Sequence, residues 1–389
     1  MAWEIRDKAC IVGIGETEYT KWGGITDRSE FQLACEAILK ALDDAGLTTD
    51  DLDGFSSYSS DRNSGIDLAA ALGIPQLRYA SILTMGGGGG GAAAIMNAVL
   101  AVTTGTADVV ACYRSLCQGQ FGRFGQSRAA GAVTGGPAFT SPFGLMSPPG
   151  NYAMRARRYM HEYGITSRQF GAIAVASYKH AQRNPRAVMY GRPLTIEDHQ
   201  QSRMIVDPLH LYDCCQENDG AAAVIVTTAE RAKDLKQRPV YIMGAAQGSG
   251  FRSQVAAGNR PDFVSSSFTT VAKDLYDRAG VGPKDIDVAQ IYENFTPMSM
   301  MSIEEHGFCK RGEGGAFVEN GRIEWPDGEL PVNTSGGNLA EAYIHGFELY
   351  TECVRQMRGT STCQVENAEI GLCAAGPGTE YASDVIMRR

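Results

Sequence analysis

The sequence predicts an α/β fold in which one strand–helix–strand–helix–strand unit occurs twice, with an additional segment inserted in the first copy. Three observations lead to this fold class. Short apolar runs alternate with amphipathic helix patterns, five elements recur in the same order in both halves of the chain, and each half has a helix that begins in a glycine-rich turn. Alternating strands and helices favour parallel strands covered by helices, with the two copies paired about a pseudo-twofold axis.

The first element of each half is a buried strand that ends in a turn, followed by an amphipathic helix. The strands are residues 9–15, ACIVGIG, and residues 240–246, VYIMGAA. Gly46 and Gly280 end the two helices, where glycine readily takes a left-handed conformation. The apolar positions of the first helix share one face: Phe31, Leu33, Ala34, Ala37, Ile38, Ala41 and Leu42.

The second strand of each half follows that glycine. Residues 45–58 and 279–292 align without a gap, so Tyr58 matches Tyr292. A glycine-led helix comes next, after Thr84 in the first half and after Thr334 in the second. A short buried strand completes each copy, at residues 107–112 and 368–373.

The repeat divides the chain into a first half at residues 1–236 and a second half at 237–389. The first half is longer because it contains an insertion at about 113–219. That insertion carries glycine- and proline-rich stretches and a basic amphipathic helix over 154–163. Long inserted loops often bind ligands, so we expect a loop domain that lies over the core and contacts substrate. Residues 113–126 are candidates for lining a substrate tunnel or for an interface between two copies of the chain.

Composition excludes several classes of function. The chain has 389 residues, of which 43% are hydrophobic and 20% charged, which is typical of a globular protein. Its formal charge of -9 disfavours nucleic acid as a partner. The ten cysteines have irregular spacing without a C-x-x-C pair, so we expect reduced thiols and no metal site. We expect neither a signal peptide nor a membrane span, and we expect the protein in the cytoplasm.

Several short motifs resemble one branch of a known superfamily. They are YMHEYG at 159–164, HAQRNP at 180–185, Asp213, NDGAAAV at 218–224, YENF at 292–295 and SGG at 335–337. Together with the duplication, they resemble the lipid-transfer-protein branch of the thiolase superfamily, whose members include sterol-carrier thiolase-like proteins. The resemblance covers nearly the whole chain. It implies the thiolase fold, a five-layer α-β-α-β-α core with an inserted loop domain, and a homodimer.

The catalytic segments of thiolases are altered here. The nucleophilic cysteine position falls near Gly88, and the chain has no cysteine between Cys35 and Cys112. Tyr292 takes the place of the Asn or His in the second segment. Tyr343 takes the place of the histidine in the third, with His345 two residues on. The final segment appears in altered form as Cys373, followed by Gly376 and Gly378.

Without the thiol, an acyl fragment would have no acceptor. Cleavage of a β-hydroxyacyl-CoA needs no acceptor, because the second product is a ketone or an aldehyde. It requires two proton transfers, and we therefore predict retro-aldol chemistry with Tyr292 and Tyr343 as the general acid–base pair. For the thioester and its enolate, the candidate binding residues are Gly88, Asn294, Gly337, Gly376 and Gly378.

The tyrosine-bearing members of this branch resemble bacterial aldolases of steroid side-chain degradation. The resemblance implies cleavage of a 17-hydroxy steroid C22-oyl-CoA into a 17-ketosteroid and propionyl-CoA. It also implies a small partner protein with an OB fold and a zinc ribbon, in a heterotetramer. Coenzyme A then enters as part of the substrate, this chain needs no cofactor of its own, and zinc belongs to the partner alone.

Other interpretations stay open. Cys373 and His345 are candidates for a residual acid–base role. The alternatives are that Cys373 is simply a buried thiol and that the His345 side chain points away from the site. Arg155, Arg157 and Arg158 are candidates for the CoA phosphates, against a solvated helix face.

The function itself also has alternatives. Both tyrosines are candidates for ordinary core residues, since Tyr58 matches Tyr292 in a half where no catalysis is expected. The chain could instead be an acyltransferase with a relocated nucleophile, Cys117 or Cys373. A third possibility is a non-catalytic carrier of lipid or acyl-CoA, or a scaffold for a catalytic partner.

Overall fold

The computed structural model describes residues 3–59, 61–84, 87–123, 125, 133–250, 252 and 262–389. The start of the predicted glycine-rich turn, Met85 and Gly86, lies outside the described residues, as do Phe124 and Gln126. The strands are β1 (Ala9–Glu16), β2 (Thr20–Lys21), β3 (Gly54–Tyr58), β4 (Tyr79–Leu83), β5 (Val109–Cys117), β6 (Met204–Val206), β7 (Leu209–His210), β8 (Asn218–Thr228), β9 (Val240–Gly248), β10 (Val288–Ile291), β11 (Ile370–Ala375) and β12 (Ala382–Arg388).

The helices cover the strands and the inserted segment. They are α1 (Glu30–Ala45), α2 (Gly65–Leu72), α3 (Gly91–Thr103), α4 (Gln118–Phe121), α5 (Pro148–Tyr163), α6 (Ser167–Ala181), α7 (Ile196–Gln201), α8 (Ala229–Ala232), α9 (Val271–Ala279), α10 (Thr296–Glu305), α11 (Gly314–Val318), α12 (Gly337–Ala340) and α13 (Glu348–Arg358). A capping box at Ser29 begins α1. Gly46 and Gly280 end α1 and α9 with φ of 75° and 66°, as the sequence predicts.

The strand order reproduces the repeat. One half-sheet runs β1-β8-β5-β3-β4 and the other β9-β12-β11-β10, and the two join where β1 pairs with β9. The matched runs of sequence therefore occupy matched strands: β1 with β9, β3 with β10, and β5 with β11.

The sheet is mixed rather than parallel throughout. Parallel pairing holds for β3 with β4 and β5, and for β10 with β11. The expectation of parallel pairing is wrong for β8 and β12, which pair antiparallel with β5 and β11. The reason for β12 is its connection, since the short turn at 376–381 leaves no room for a crossover helix.

The layers follow from the helix packing. Helix α1 packs on β1, β5 and β8, whereas α9 packs on β9 and β12. Helices α3 and α13 contact strands of both half-sheets and lie between them. The order is therefore outer helix, half-sheet, two central helices, half-sheet and outer helix, which is the expected five-layer core.

The inserted segment runs from the end of β5 to the start of β8 and carries α4 to α7. Its basic helix, predicted from residue 154, begins earlier, at Pro148 of α5. Helix α6 packs against α10, α11 and α12 of the second half. No helix in the described part of the chain is both long and apolar enough to cross a membrane.

The glycine-led helices of the two halves differ. In the first half, the helical turn Gly87–Gly90 leads straight into α3. In the second half, α12 ends at Ala340 and α13 begins at Glu348, so the helix predicted after Thr334 is interrupted. His345 and Gly346 have φ of 57° and 84° in the gap, and such left-handed residues cannot continue a helix.

Candidate active site

Two tyrosines meet at the interruption between α12 and α13. Tyr292 directly follows β10, and its backbone N–H donates to the Ala374 carbonyl at 2.9 Å. Tyr343 lies in the interruption, where its backbone N–H donates to Asn218 Oδ1 at 2.7 Å. The two phenol oxygens are 2.8 Å apart and share a hydrogen bond. Both side chains are buried, so each phenol is held in one place.

The ring of Tyr292 fills the space beside Gly88, where the resemblance predicts the nucleophile position. A Cβ placed on Gly88 would lie 2.5 Å from Cζ of Tyr292 and 2.6 Å from Cε2. A Cβ on Gly346 would lie 2.6 Å from Cε2 of the same ring. Tyr292 therefore occupies a slot between two glycines, and neither glycine can carry a side chain while the ring stays there.

The surroundings keep both phenols protonated. Burial raises the pKa of Tyr292 well above its usual range, and the neighbouring Tyr343 adds to the effect. Burial likewise raises the pKa of Tyr343, with a further contribution from Cys215. At neutral pH the pair is therefore two neutral phenols that share one hydrogen bond.

Cys215 is a residue that sequence reasoning missed. It packs against the apolar cluster formed by the two tyrosines, Leu116 and Leu349, and it is only partly buried. Burial raises the pKa of its thiol well above the usual value, so the thiol is neutral at pH 7. The feature of the sequence that could have indicated its place is its position three residues before the NDGAAAV run, where the chain passes from the inserted segment back to the core.

Glu293, next to Tyr292, fixes the end of β10. Its carboxylate accepts from Ser177 Oγ at 2.7 Å and from the Asn338 backbone N–H at 2.8 Å. Burial raises the pKa of Glu293 to about 7. A Cβ on Gly337 would collide with this carboxylate and lie 3.0 Å from Cβ of Asn333. Gly337 thus leaves room for Glu293.

The other residues predicted to bind the thioester form a wall beside the glycine-rich turn. Asn294 Nδ2 donates to the Pro377 carbonyl at 2.9 Å, and its Oδ1 accepts from the Phe295 N–H. Gly376 packs on Gly89, whose backbone N would lie 2.6 Å from a Cβ at position 376. Gly378 donates its N–H to the Ser266 carbonyl at 2.7 Å. The side chain of Asn294 and the N–H of Gly378 are therefore already engaged within the protein.

Cys373 and His345 have different surroundings. Cys373 lies on β11 among the residues between the half-sheets, next to Cys353, and burial raises the pKa of its thiol well above the usual range. The rings of His345 and Tyr343 meet in a T-shaped arrangement, with centroids 5.7 Å apart, and the His345 ring stacks on Tyr58 at 5.8 Å. Burial, and then Arg114, lower the pKa of His345 well below its usual value. The structure thus places His345 beside the pair and Cys373 apart from it.

Tyr58, the counterpart of Tyr292 in the first half, supports the interruption. Its phenol donates to the His345 carbonyl at 2.9 Å. Tyr58 thus holds the backbone of the interruption two residues after Tyr343.

The three arginines of α5 differ in exposure. Arg155 is buried, and its guanidinium donates to the Gly378 carbonyl at 3.0 Å, so it supports the turn at 376–378. Arg157 and Arg158 are exposed and pair with Asp207 and Glu162. Only the latter two therefore lie on a surface that a CoA phosphate could reach directly. Among the described residues, no group of three or more His, Cys, Asp or Glu side chains is placed to hold a metal ion.

The chain matches known proteins over nearly its whole length. The family model described as "Thiolase C-terminal domain-like" matches residues 249–387. A relative in Mycobacterium tuberculosis, the 17-hydroxy-3-oxo-4-pregnene-20-carboxyl-CoA lyase, is 47% identical over 386 residues, 97% of this chain and 99% of the relative. The steroid side-chain-cleaving aldolase of Thermomonospora curvata is 45% identical over 385 residues, 97% of each chain.

Solved structures agree with these matches. The Ltp2-ChsH2(DUF35) aldolase superposes with a TM-score of 0.92 at 44% identity, over 99% of this chain and 98% of that one. The human mitochondrial 3-ketoacyl-CoA thiolase superposes with a TM-score of 0.73 at 16% identity, over 99% of each chain, and shows the thiolase fold alone. The chain therefore belongs to the steroid side-chain-cleaving aldolases, in the sterol-carrier-like branch of the thiolase superfamily.

Proposed function

We propose that this protein is a carbon–carbon lyase that cleaves a β-hydroxyacyl-CoA by a retro-aldol reaction. The observation that carries the proposal is the Tyr292 ring, which packs against Gly88 and is hydrogen-bonded to Tyr343 at 2.8 Å. A site with a phenol pair in place of a thiol can transfer protons but has no acceptor for an acyl group.

The proposed substrate is a 17-hydroxy steroid with a three-carbon CoA thioester side chain, a C22-oyl-CoA. The products are a 17-ketosteroid and propionyl-CoA. The M. tuberculosis relative is named for a 17-hydroxy pregnene carboxyl-CoA, and the T. curvata relative for cleavage of a steroid side chain. Identity of 45% or more over nearly the full chain supports the same substrate class here.

The shared hydrogen bond suits a proton relay. The steroid hydroxyl gives its proton to one phenol oxygen as the bond between the hydroxyl-bearing carbon and Cα breaks. That tyrosine passes its own proton along the hydrogen bond, and the second tyrosine gives its proton to Cα of the departing thioester. Both phenols end neutral, and the hydroxyl-bearing carbon becomes a ketone. Because burial raises both pKa values, a relay avoids the cost of a free phenolate.

The thioester oxygen needs donors as negative charge develops on it. We propose the backbone amides of Gly88 and Gly376 for this role, since Gly88 adjoins the Tyr292 ring and Gly376 packs on the same turn. Asn294, Gly337 and Gly378 then shape the wall of the site. The exposed Arg157 and Arg158 are the proposed contacts of the CoA phosphates.

We propose that the chain works as a homodimer with a small OB-fold and zinc-ribbon partner, in a heterotetramer. A solved relative described as the Ltp2-ChsH2(DUF35) aldolase supports such a partner. Coenzyme A enters as part of the substrate, no separate cofactor is needed for the relay, and zinc would belong to the partner. We also propose domain boundaries at 1–236 and 237–389, and a cytoplasmic location suited to ten unpaired cysteines.

The test is mass spectrometry on protein co-expressed with a DUF35-type partner. A 17-hydroxy-steroid-22-oyl-CoA is supplied without free CoA, and propionyl-CoA and the 17-ketosteroid are expected together. Product formed only from a β-keto substrate with added CoA would indicate an acyltransferase with a relocated thiol. Burial raises the pKa of the Cys117 thiol to about 11, which disfavours that outcome. Bound CoA ester that is never cleaved would indicate a carrier.

A further inference from the structure

Asn338 connects the two segments that carry the tyrosines. Its backbone N–H donates to Glu293 Oε2 at 2.8 Å, and its Oδ1 accepts from the Glu293 N–H at 2.9 Å. Its Nδ2 donates to Glu348 Oε1, and its carbonyl accepts from the Gln216 N–H at 3.0 Å. All four polar groups of this buried residue are therefore used, and they reach three different segments.

The connection continues to Tyr343 through Glu348. The second carboxylate oxygen of Glu348 accepts from the Ile344 N–H at 3.0 Å, and Ile344 is the next residue after Tyr343. A buried path of hydrogen bonds thus runs from Glu293, adjacent to Tyr292, through Asn338 and Glu348 to the residue adjacent to Tyr343.

We propose that Asn338 is a positioning residue that sets the distance between the two phenol oxygens. This inference rests on the proposed proton relay. An asparagine side chain offers one acceptor and one donor, and here the acceptor faces an N–H while the donor faces a carboxylate. An aspartate or an apolar residue cannot supply both. Asn218 also holds Tyr343, but its Nδ2 donates to the Thr20 carbonyl and so does not reach Tyr292.

Asn338→Asp tests the donor side of this connection. The new carboxylate would face Glu348, and two carboxylates at hydrogen-bonding distance need a shared proton. As pH rises and that proton is lost, repulsion should separate the segments. We expect kcat to fall at least roughly tenfold across this titration, with a smaller change in KM, because small misplacements of reacting groups are costly. Other titratable groups also interact electrostatically with Glu348, and none of them is substituted in these variants. They are Glu16, Glu341, Tyr19, Tyr58, Cys215 and Tyr350.

The matched control combines Asn338→Asp with Glu348→Gln. The new glutamine would donate to the carboxylate introduced at position 338 and keep a carbonyl for the Ile344 N–H, which exchanges donor and acceptor within the same geometry. We expect this double variant to regain activity and to lose the added pH dependence. The inference would be overturned if the pH profile of kcat for Asn338→Asp superimposed on that of wild type. It would also be overturned if the double variant were no more active than Asn338→Asp alone.

A structural readout separates this inference from the proposed reaction. In a crystal structure of Asn338→Ala, the phenol oxygens of Tyr292 and Tyr343 should lie beyond hydrogen-bonding distance. An unchanged separation would refute the positioning role whatever the enzyme catalyses. If wild type cleaves no hydroxyacyl-CoA while the oxygens separate in Asn338→Ala, the proposed function fails and the positioning role stands.

Discussion

Tyr292 and Gly88 compete for one volume: a Cβ on Gly88 would lie 2.5 Å from Cζ of the tyrosine ring. A side chain at position 88 therefore cannot be accommodated while the Tyr292 ring keeps its place. Glycine at position 88 and the tyrosine ring at position 292 thus depend on each other, and several testable consequences follow.

Gly88→Cys should not create an acyltransferase. The added side chain would push the Tyr292 ring away from Tyr343, so retro-aldol activity should fall roughly 100-fold with loss of the acid–base pair. Propionyl-CoA release and CoA-dependent cleavage of a β-keto substrate should be measured on the same preparation, with thermal unfolding to confirm the fold. Retro-aldol activity close to wild type would show that the position of the Tyr292 ring between Gly88 and Gly346 is not required for the reaction.

Tyr292→Phe and Tyr343→Phe should each lower kcat/KM at least roughly 100-fold, because each removes a member of the relay. The double variant should be scarcely worse than either single one, since groups that act as a unit are not additive. Tyr58→Phe is the matched control. It removes the hydrogen bond to the His345 carbonyl, and we expect little loss of turnover. Equal losses in all three variants would point to packing rather than proton transfer.

The tyrosine pair predicts the pH dependence of kcat. In the proposed relay both phenols are neutral, and their raised pKa values keep them neutral until well above pH 10. His345 has a lowered pKa, so it charges only well below pH 6.5. Single-turnover rates should therefore be flat with respect to these groups between about pH 7 and pH 9. A rate that rises tenfold per pH unit across that window would show that a phenolate is the working base.

Glu293 should make stability fall as pH rises. The unfolded chain loses the Glu293 proton near pH 4.5, whereas the folded protein holds it to about pH 7. Between these values the folded state binds more protons, so its stability falls with rising pH. Glu293→Gln should flatten the Tm profile over this range, with Glu341 contributing a similar slope in both proteins. Parallel wild-type and variant profiles would contradict the shift.

The sequence was most informative about elements that repeat. The apolar runs of β1 and β9 are contiguous and patterned, so both strands were predictable from local physics. The tyrosine pair was predictable through a resemblance of spacing. Its geometry was not, because the 2.8 Å contact depends on the break at His345 and Gly346. The glycine at 346 was the available signal for that break.

Residues brought together by long-range contacts were harder to predict. Cys215 reaches the tyrosines only when the inserted segment returns to β8, and Asn338 gains its role from partners far away in sequence. The side chain of Cys373 could not be placed from sequence order alone. Adjacent residues on a strand point to opposite faces, so Cys373 faces the central helices even though its carbonyl-side neighbour, Ala374, bonds to Tyr292.

The interruption between α12 and α13 also sets how the site opens. Within a helix, local backbone hydrogen bonds protect each amide from hydrogen exchange, and the helix can fray one turn at a time. The amide of Ile344 donates locally, to the side chain of Glu348 at the start of α13. The amide of Tyr343 instead donates to the side chain of Asn218, the first residue of β8, which lies far away in sequence. Exchange of the Tyr343 amide with solvent hydrogen therefore requires separation of packed segments, and this part of the interruption shares the cooperative unit of the core around it.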